Sequence, residues 1–466
     1  MNPAVVTALQ WFFLLYFVAI NAGYIMLNVL SIRSLTRYLE AHFLDDLPQI
    51  YSGFEQPVSL LVPAYNEEAT IASSIRSLLQ LQYPEFEVIV VNDGSRDATL
   101  EVLKREFALR AVPEAYCTQI KVQPVREIYR SSVHHNLRVI DKDNGGKADA
   151  LNAGINASRF PLFCAMDADS ILERASMHRL VQPFVEYPDT IAAGGTVRLA
   201  NGCKVSGGFL TDVGLPRNPL ALLQVVEYLR GFLFGRLGWS PLNAVLIISG
   251  AFGLFKKAAV VEAGGYNTTT VGEDMELVVR LHRVFRRKGL PYRIAFIPDS
   301  ICWTEAPESL RVLKSQRTRW QHGLAESLSM NMGLLFHRKG GFPGWCAFPF
   351  MVVFEWFGPA VEFIGYIFMI VGFAFGIVSY QALVCFLVVA LGFGFMLSVS
   401  ALLLEEISLH IYSDPGDLAI LLIMALIENL GYRQMITFWR LIGLVRWAVG
   451  ARAVWGTMTR AAHWQK

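Results

Sequence analysis

The chain has 466 residues, 53% of them hydrophobic and only 17% charged. So small a share of charge requires part of the chain to lie in lipid. The net charge of +2, with no basic stripe and no zinc-finger spacing, argues against a nucleic-acid partner.

Residues 1–32 hold no charged side chain, and Leu9 to Leu30 supplies the ~20 apolar residues a spanning helix needs. Arg33 and Arg37 follow the apolar run, whereas a cleaved signal peptide begins with its basic residues. We therefore expect a retained transmembrane helix at 1–32. The positive-inside rule then puts the next domain, 33–305, in the cytoplasm of a multi-pass protein of the inner (plasma) membrane.

From about residue 56 to 340, apolar runs alternate with polar turns and helical spacing, an α/β signature. Val58 to Val62 is expected to be a buried parallel strand ending in Pro63-Ala64-Tyr65-Asn66-Glu67-Glu68, followed by a helix over Ala69 to Leu81. Val88 to Val91 is a second strand, ending in Asn92-Asp93-Gly94-Ser95, and Pro161 to Met166 a third, ending in Asp167-Ala168-Asp169. Open parallel sheets bind ligands at the carboxyl ends of their strands, so these carboxylates should meet in one crevice.

Each motif has an ordinary explanation when taken singly. Asn92 to Ser95 are common turn formers; Pro63, Tyr65 and Glu67 suit a helix cap with an aromatic lid. Asn144-Gly145-Gly146-Lys147 has the flexible backbone and single amine suited to phosphate but lacks P-loop spacing. Asp167 and Asp169 offer hard oxygen ligands for Mg²⁺ or Mn²⁺ bridging a diphosphate, though such triplets also arise by chance. Gly272-Glu273-Asp274 precedes an amphipathic helix, where Asp274 is either a first-turn residue favoured by the helix dipole or a general base. In Gln316-Arg317-Thr318-Arg319-Trp320, Arg suits diphosphate oxygens and Trp suits a sugar face, but both also anchor interfacial helices.

Residues 306–341 are expected to be amphipathic and interfacial, and 342–466 to hold the C-terminal membrane helices and a basic tail. No Lys or Arg occurs between Lys339 and Arg433. Ala347 to Ile377 and Tyr380 to Leu404 are long enough to span, while Leu418 to Ile427 followed by Ile436 to Val449 is ambiguous. An inside location for Arg440, Arg446, Arg452, Arg460 and Lys466 requires either a third crossing before Glu405 or a re-entrant final hairpin. Glu355, Glu362 and Glu428 either line a path or bond neighbouring helices. The six scattered cysteines read as buried thiols without chemistry.

In order and spacing, these motifs over roughly 57–325 resemble the inverting family 2 glycosyltransferases. The likeness is to the processive membrane synthases of cellulose, hyaluronan, chitin and, most of all, bacterial poly-N-acetylglucosamine. The resemblance implies a GT-A-type (Rossmann-like) α/β domain with an α-helical transmembrane region. It implies a UDP-sugar donor held by Pro63, Tyr65, Glu67, Asp93, Lys147, Asp167, Gln316 and Arg319. Asp167 and Asp169 would position Mg²⁺ or Mn²⁺, Asp274 beside Glu273 would be the catalytic base, and Ser249, Gly250, Phe252 and Trp320 would face the acceptor. Gly272 departs from the Thr often found before Glu-Asp, and residues 105–143 match no functional element. The expected activity is inverting transfer onto a growing β-linked glycan at the bilayer, with accessory export subunits possible. Transfer of one sugar to a lipid carrier and a non-catalytic nucleotide-sugar scaffold are the alternatives.

Overall fold

The computed structural model describes residues 3–42, 55–206, 209–412 and 414–451. The uncharged N-terminal run forms one helix, α1 (Pro3–His42), which continues through Arg33 and Arg37. The alternating segment that follows begins with β1 (Val58–Ala64), α2 (Ile71–Leu79), β2 (Phe86–Asp93) and α3 (Thr99–Glu106). In β1, Val58, Leu60, Leu61 and Val62 are fully buried, as expected of a strand covered on both faces.

Residues 105–143, unassigned from the sequence, complete one wing of the sheet with β3 (Leu109–Ala111), β4 (Val125–Ser131) and β5 (Leu137–Lys142). The chain continues through α4 (Lys147–Ala157), β6 (Leu162–Met166), β7 (Ile171–Leu172), α5 (Ser176–Glu186) and β8 (Thr190–Leu199). A small hairpin, β9 (Lys204–Ser206) and β10 (Phe209–Asp212), leads into α6 (Pro219–Leu233). Then come β11 (Phe252–Lys256), α7 (Lys257–Glu262), α8 (Glu273–Lys288), β12 (Arg293–Thr304) and α9 (Leu310–Met330).

Ten strands form one sheet in the order β3, β4, β5, β2, β1, β6, β11, β8, β12, β7. Strands β5, β2, β1 and β6 are parallel, so the ends of β2 and β6 open on the same edge. β11 runs antiparallel between β6 and β8, and its amino end therefore reaches the edge where β6 terminates. This reversal sets Ser249 and Gly250, just before β11, beside Asp167, just after β6.

Among the described residues, three helices are long and apolar enough to cross a membrane: Pro3–Glu40, Tyr380–Ser408 and Pro415–Ala448. Pro343–Trp356 and Gly358–Ala374, bent by 46° at their junction, meet the same criterion together. Counted as one span, this bent pair brings the candidates among the described residues to four. The last of them, Pro415–Ala448, breaks at Leu430 and Gly431. Its first half approaches the Tyr380–Ser408 helix, where Glu428 accepts from Ser398 Oγ at 3.0 Å. Its second half returns toward α9, where Arg440 Nε donates to Gln321 Oε1 at 2.8 Å. Arg452, Arg460 and Lys466 lie outside the described residues.

Glu355, Glu362 and Glu428 all bond neighbouring elements: Arg440 at 2.8 Å, Thr437 at 3.2 Å and Arg230 at 2.5 Å respectively. All six cysteines are free; Cys164, Cys203 and Cys302 are buried, but Cys117, Cys346 and Cys385 are exposed. The expectation of burial fails for these three: Cys117 lies outside regular structure, and Cys346 and Cys385 lie on the outer face of the helical region.

Candidate active site

The loop between β5 and α4 is built around Asp93 at the end of β2. Its Oδ1 accepts from Lys142 Nζ at 2.6 Å and from the Gly145 amide at 3.0 Å. Its Oδ2 accepts from the Gly146 amide at 2.7 Å and Asn144 Nδ2 at 3.1 Å. These four donors fill the lone-pair sites of a carboxylate. Asp93 is 3% exposed and holds the loop through these bonds. Lys142, absent from the sequence reading, is fully buried between Asp93 and Asp149, 2.6 Å from each. Gly146 has φ +87° and ψ 169°, a conformation available essentially to glycine alone. A Cβ on Gly145 would lie 2.4 Å from the Asp149 carboxylate. Both glycines are thus required by the backbone path that launches Lys147 at the start of α4.

Lys147 bonds Asp167 and the Gly250 carbonyl, the latter at 3.3 Å, and lies 3.7 Å from Glu273 Oε1. Burial opposes its charge, but Asp167 and Glu273 outweigh burial and hold the amine above its ordinary value. Asp274 Oδ2 accepts from the Gly250 amide at 2.9 Å, and Oδ1 from the Met275 amide at 2.8 Å. Half-buried, Asp274 thus keeps a fixed orientation at the mouth of the crevice. Burial pushes the Glu273 carboxyl up to about 7, with Lys147 opposing and Asp274 adding to the rise. Burial also lowers the Arg319 guanidinium, while Glu273, Asp167 and Asp274 attract it. Segments at positions 147, 167, 250, 273–274 and 319 therefore face one another.

Helix α9 contributes more than Arg319. Glu326 Oε2 accepts from Thr270 Oγ1 at 2.7 Å and the Val271 amide at 3.0 Å, fixing the loop that presents Glu273 and Asp274. Arg317 is buried and pairs with Glu227 at 2.7 Å. Its guanidinium lies 4.2 Å from the centroid of the Trp320 ring, and Trp320 itself is 44% exposed. Gln316 is buried and accepts from Arg317 at 3.2 Å, so it orients its neighbour from within the helix packing.

Phe252 is a correction. It is fully buried, and a Cβ on Gly195 of β8 would lie 2.5 Å from its ring, so it packs in the core of the sheet and does not face an acceptor. β11 is covered on both faces, so side chains on either side of its pleat lie in the core. Ser249 Oγ accepts from the Ala251 amide at 3.4 Å. On the other flank Tyr65 is exposed, Pro63 lies on β1, and Glu67 accepts from Thr70 Oγ1 at 2.9 Å. The Asn66 and Arg96 amides bond Ser95 Oγ and Asn66 Oδ1, which ties this loop to the Asp93 turn.

Among the described residues, no group of three or more His, Cys, Asp or Glu is arranged to hold a metal. Asp167 and Asp169 bring carboxylate oxygen, the donor type a hard divalent cation takes, to the strand end, and they are the residues that would hold one.

A ten-stranded mixed sheet with its acidic crevice at the carboxyl ends of β2 and β6 is the GT-A architecture. The chain matches the sequence model of Glycosyl transferase family 2 over residues 59–258 and that of Glycosyl transferase family group 2 over residues 162–397. The second match spans more than half of the chain, which belongs to this family. The chain is 29% identical over 272 residues to a poly-β-1,6-N-acetyl-D-glucosamine synthase of Staphylococcus epidermidis, covering 58% of this chain and 55% of that one. To the synthase of the same name from Staphylococcus aureus strain COL it is 30% identical over 288 residues, covering 61% and 58%. The alignments thus span little more than half the length of these curated relatives. Among solved structures, the chain is similar in fold to the mannosyltransferase PcManGT from Pyrobaculum calidifontis in complex with GDP-Man and Mn²⁺. That likeness has a TM-score of 0.55 and 17% identity, and covers 94% of this chain and 100% of that one.

Proposed function

We propose that this protein is an inverting glycosyltransferase that moves N-acetylglucosamine from its UDP derivative onto a hydroxyl of a growing β-linked glycan. The observation that carries this reading is the meeting of Lys147, Asp167, Glu273, Asp274 and Arg319 around one crevice. The names of the staphylococcal relatives supply the sugar and the β-1,6 linkage.

Sugar hydroxyls are weak nucleophiles at neutral pH, so a carboxylate must take the proton as the bond forms. Asp274, oriented by the Gly250 amide, takes it. The acceptor oxygen bonds to the anomeric carbon from the face opposite the nucleotide, and the bond to the UDP oxygen breaks with its electron pair leaving on UDP. An α-linked donor thus gives a β-linked product. Lys147 and Arg319 neutralise the departing diphosphate. A divalent cation held through Asp167 and Asp169 would supply further Lewis-acid neutralisation there. Pro63, Tyr65 and Glu67 border the nucleotide, Asp93 and Lys142 shape the loop that carries Lys147, and exposed Trp320 stacks on the acceptor.

The apolar helices hold the catalytic domain on the inner face of the plasma membrane, and their bundle guides the product outward, alone or with accessory subunits. Sizing the product made from radiolabelled UDP-N-acetylglucosamine tests this reading. A polymer digestible by a β-1,6-N-acetylglucosaminidase is expected; a single-sugar lipid product would replace it with the carrier-transfer alternative.

A further inference from the structure

Resting on the glycosyltransferase reading, we propose that Arg236 is an acceptor-positioning residue whose guanidinium donates a hydrogen bond to an oxygen of the acceptor sugar beside Asp274.

Arg236 belongs to none of the motifs that mark the crevice. It lies in the turn after α6, a turn pressed against α1: a Cβ on Gly238 would lie 2.6 Å from the Leu27 carbonyl oxygen, and Ser31 Oγ donates to the Phe234 carbonyl at 3.3 Å. Its guanidinium stacks 3.7 Å from the centroid of Phe232. Nη1 is sealed from solvent without a hydrogen-bond partner, and the guanidinium takes part in no ion pair among the described residues. Its neighbours behave differently: Arg230 meets Glu428 at 2.5 Å, and Arg317 meets Glu227 at 2.7 Å.

An arginine carries five N–H donors in a rigid fork, and buried donors are almost always paired, so an unfilled fork calls for an explanation. Burial pushes this guanidinium down to about 10, against the attraction of Asp274 and Tyr228. Among the described residues the two form no direct ion pair, and Nη1, buried without a partner, is open to a ligand atom. The surroundings indicate a sugar. Tyr228 lies 5.8 Å from Phe232 and 6.5 Å from Trp320, ring centroid to centroid. The aromatic row thus runs from Arg236 to the exposed Trp320, and flat apolar faces beside a polar donor suit a pyranose ring. The donor's diphosphate has its own cations in Lys147 and Arg319 on the Asp167 side, so the Phe232 side falls to the acceptor.

The test uses the full-length protein in membranes, UDP-N-acetylglucosamine as donor and a β-1,6-linked N-acetylglucosamine tetramer as acceptor. UDP release is followed against tetramer concentration, and UDP affinity is measured separately. Turnover by the wild type establishes the underlying reading; its absence would remove that reading and leave nothing for Arg236 to position. Given turnover, Arg236→Ala should raise the tetramer KM about tenfold or more while UDP affinity stays within about twofold, and Arg236→Lys should recover part of the loss. A tetramer KM unchanged in Arg236→Ala overturns the proposal. Loss of UDP affinity alongside activity also overturns it, because that result makes Arg236 a donor contact or a purely structural cation.

Discussion

Gly272 and Gly323 meet backbone to backbone: a Cβ on Gly272 would lie 2.8 Å from the Gly323 carbonyl oxygen, and one on Gly323 would lie 2.9 Å from Gly272 Cα. Ser327 Oγ bonds both carbonyls, at 3.1 and 2.7 Å. The loop that presents Asp274 is thus seated directly on α9, the helix that presents Arg319 and Trp320. This contact accounts for glycine at position 272, where the family resemblance alone leads one to expect Thr. A side chain at either position must push α8 and α9 apart. We expect Gly323→Val to cost roughly 1–3 kcal/mol of stability through overpacking and to reduce turnover more than UDP affinity. Thermal unfolding and UDP release measured together check this; wild-type turnover would show that the two helices need not touch.

Asp274→Asn keeps the hydrogen bond from the Gly250 amide within reach but cannot accept the acceptor proton. Turnover should fall about 10²–10⁴-fold with UDP affinity within a few fold. Isothermal titration with UDP alongside a UDP-release assay separates the two. Near-normal turnover would retire Asp274 as the base.

Glu273 gives a pH signature. Folded, its carboxyl holds the proton up to about pH 7; unfolded, it releases it near 4.5. Between these values the unfolded chain binds fewer protons, so this group's stability contribution is complete below pH 4.5 and is lost as pH rises toward 7. A shift of this size corresponds to roughly 3 kcal/mol. The melting temperature of Glu273→Gln should therefore gain on that of the wild type from pH 4.5 to 7 and then run parallel to it. A pH-independent difference would place the Glu273 carboxyl in an ordinary solvated setting.

Lys142→Met leaves Asp93 and Asp149 facing each other without their cation. Breaking a buried pair costs roughly 3–5 kcal/mol, and UDP affinity should drop although Lys142 itself lies beneath the loop. Unchanged UDP affinity would show that the loop holds its shape without Lys142.

The parallel strands and the strand-end positions of Asp93, Asp167 and Asp169 were legible in the sequence because each lies at a fixed offset from an apolar run, which local pattern reports. Lys142 was not, because it sits at the end of a strand inside a charged stretch that reads as surface, and only pairing with β2 makes it interior. Phe252 was misread for the opposite reason: proximity to Ser249 and Gly250 in sequence does not reveal that β11 is covered on both faces. The contacts of Glu326 and Gly323 with the catalytic loop span about fifty residues and leave no local trace. The final helix was ambiguous because its break at Leu430 and Gly431 divides one apolar run into two short ones.

If Asp167 and Asp169 hold the cation that accompanies the diphosphate, chelation with EDTA should abolish UDP release, and Mn²⁺ or Mg²⁺ should restore it. Asp169→Asn should raise the metal concentration needed for half-maximal activity. Full turnover in chelator would leave the diphosphate to Lys147 and Arg319 alone.

The most direct test is UDP release from a panel of UDP-sugars by membranes carrying the protein. Release with UDP-N-acetylglucosamine that disappears in Asp274→Asn is the expected result. Binding of UDP with no release from any donor would contradict the account and leave a nucleotide-sugar-binding membrane protein without transferase activity.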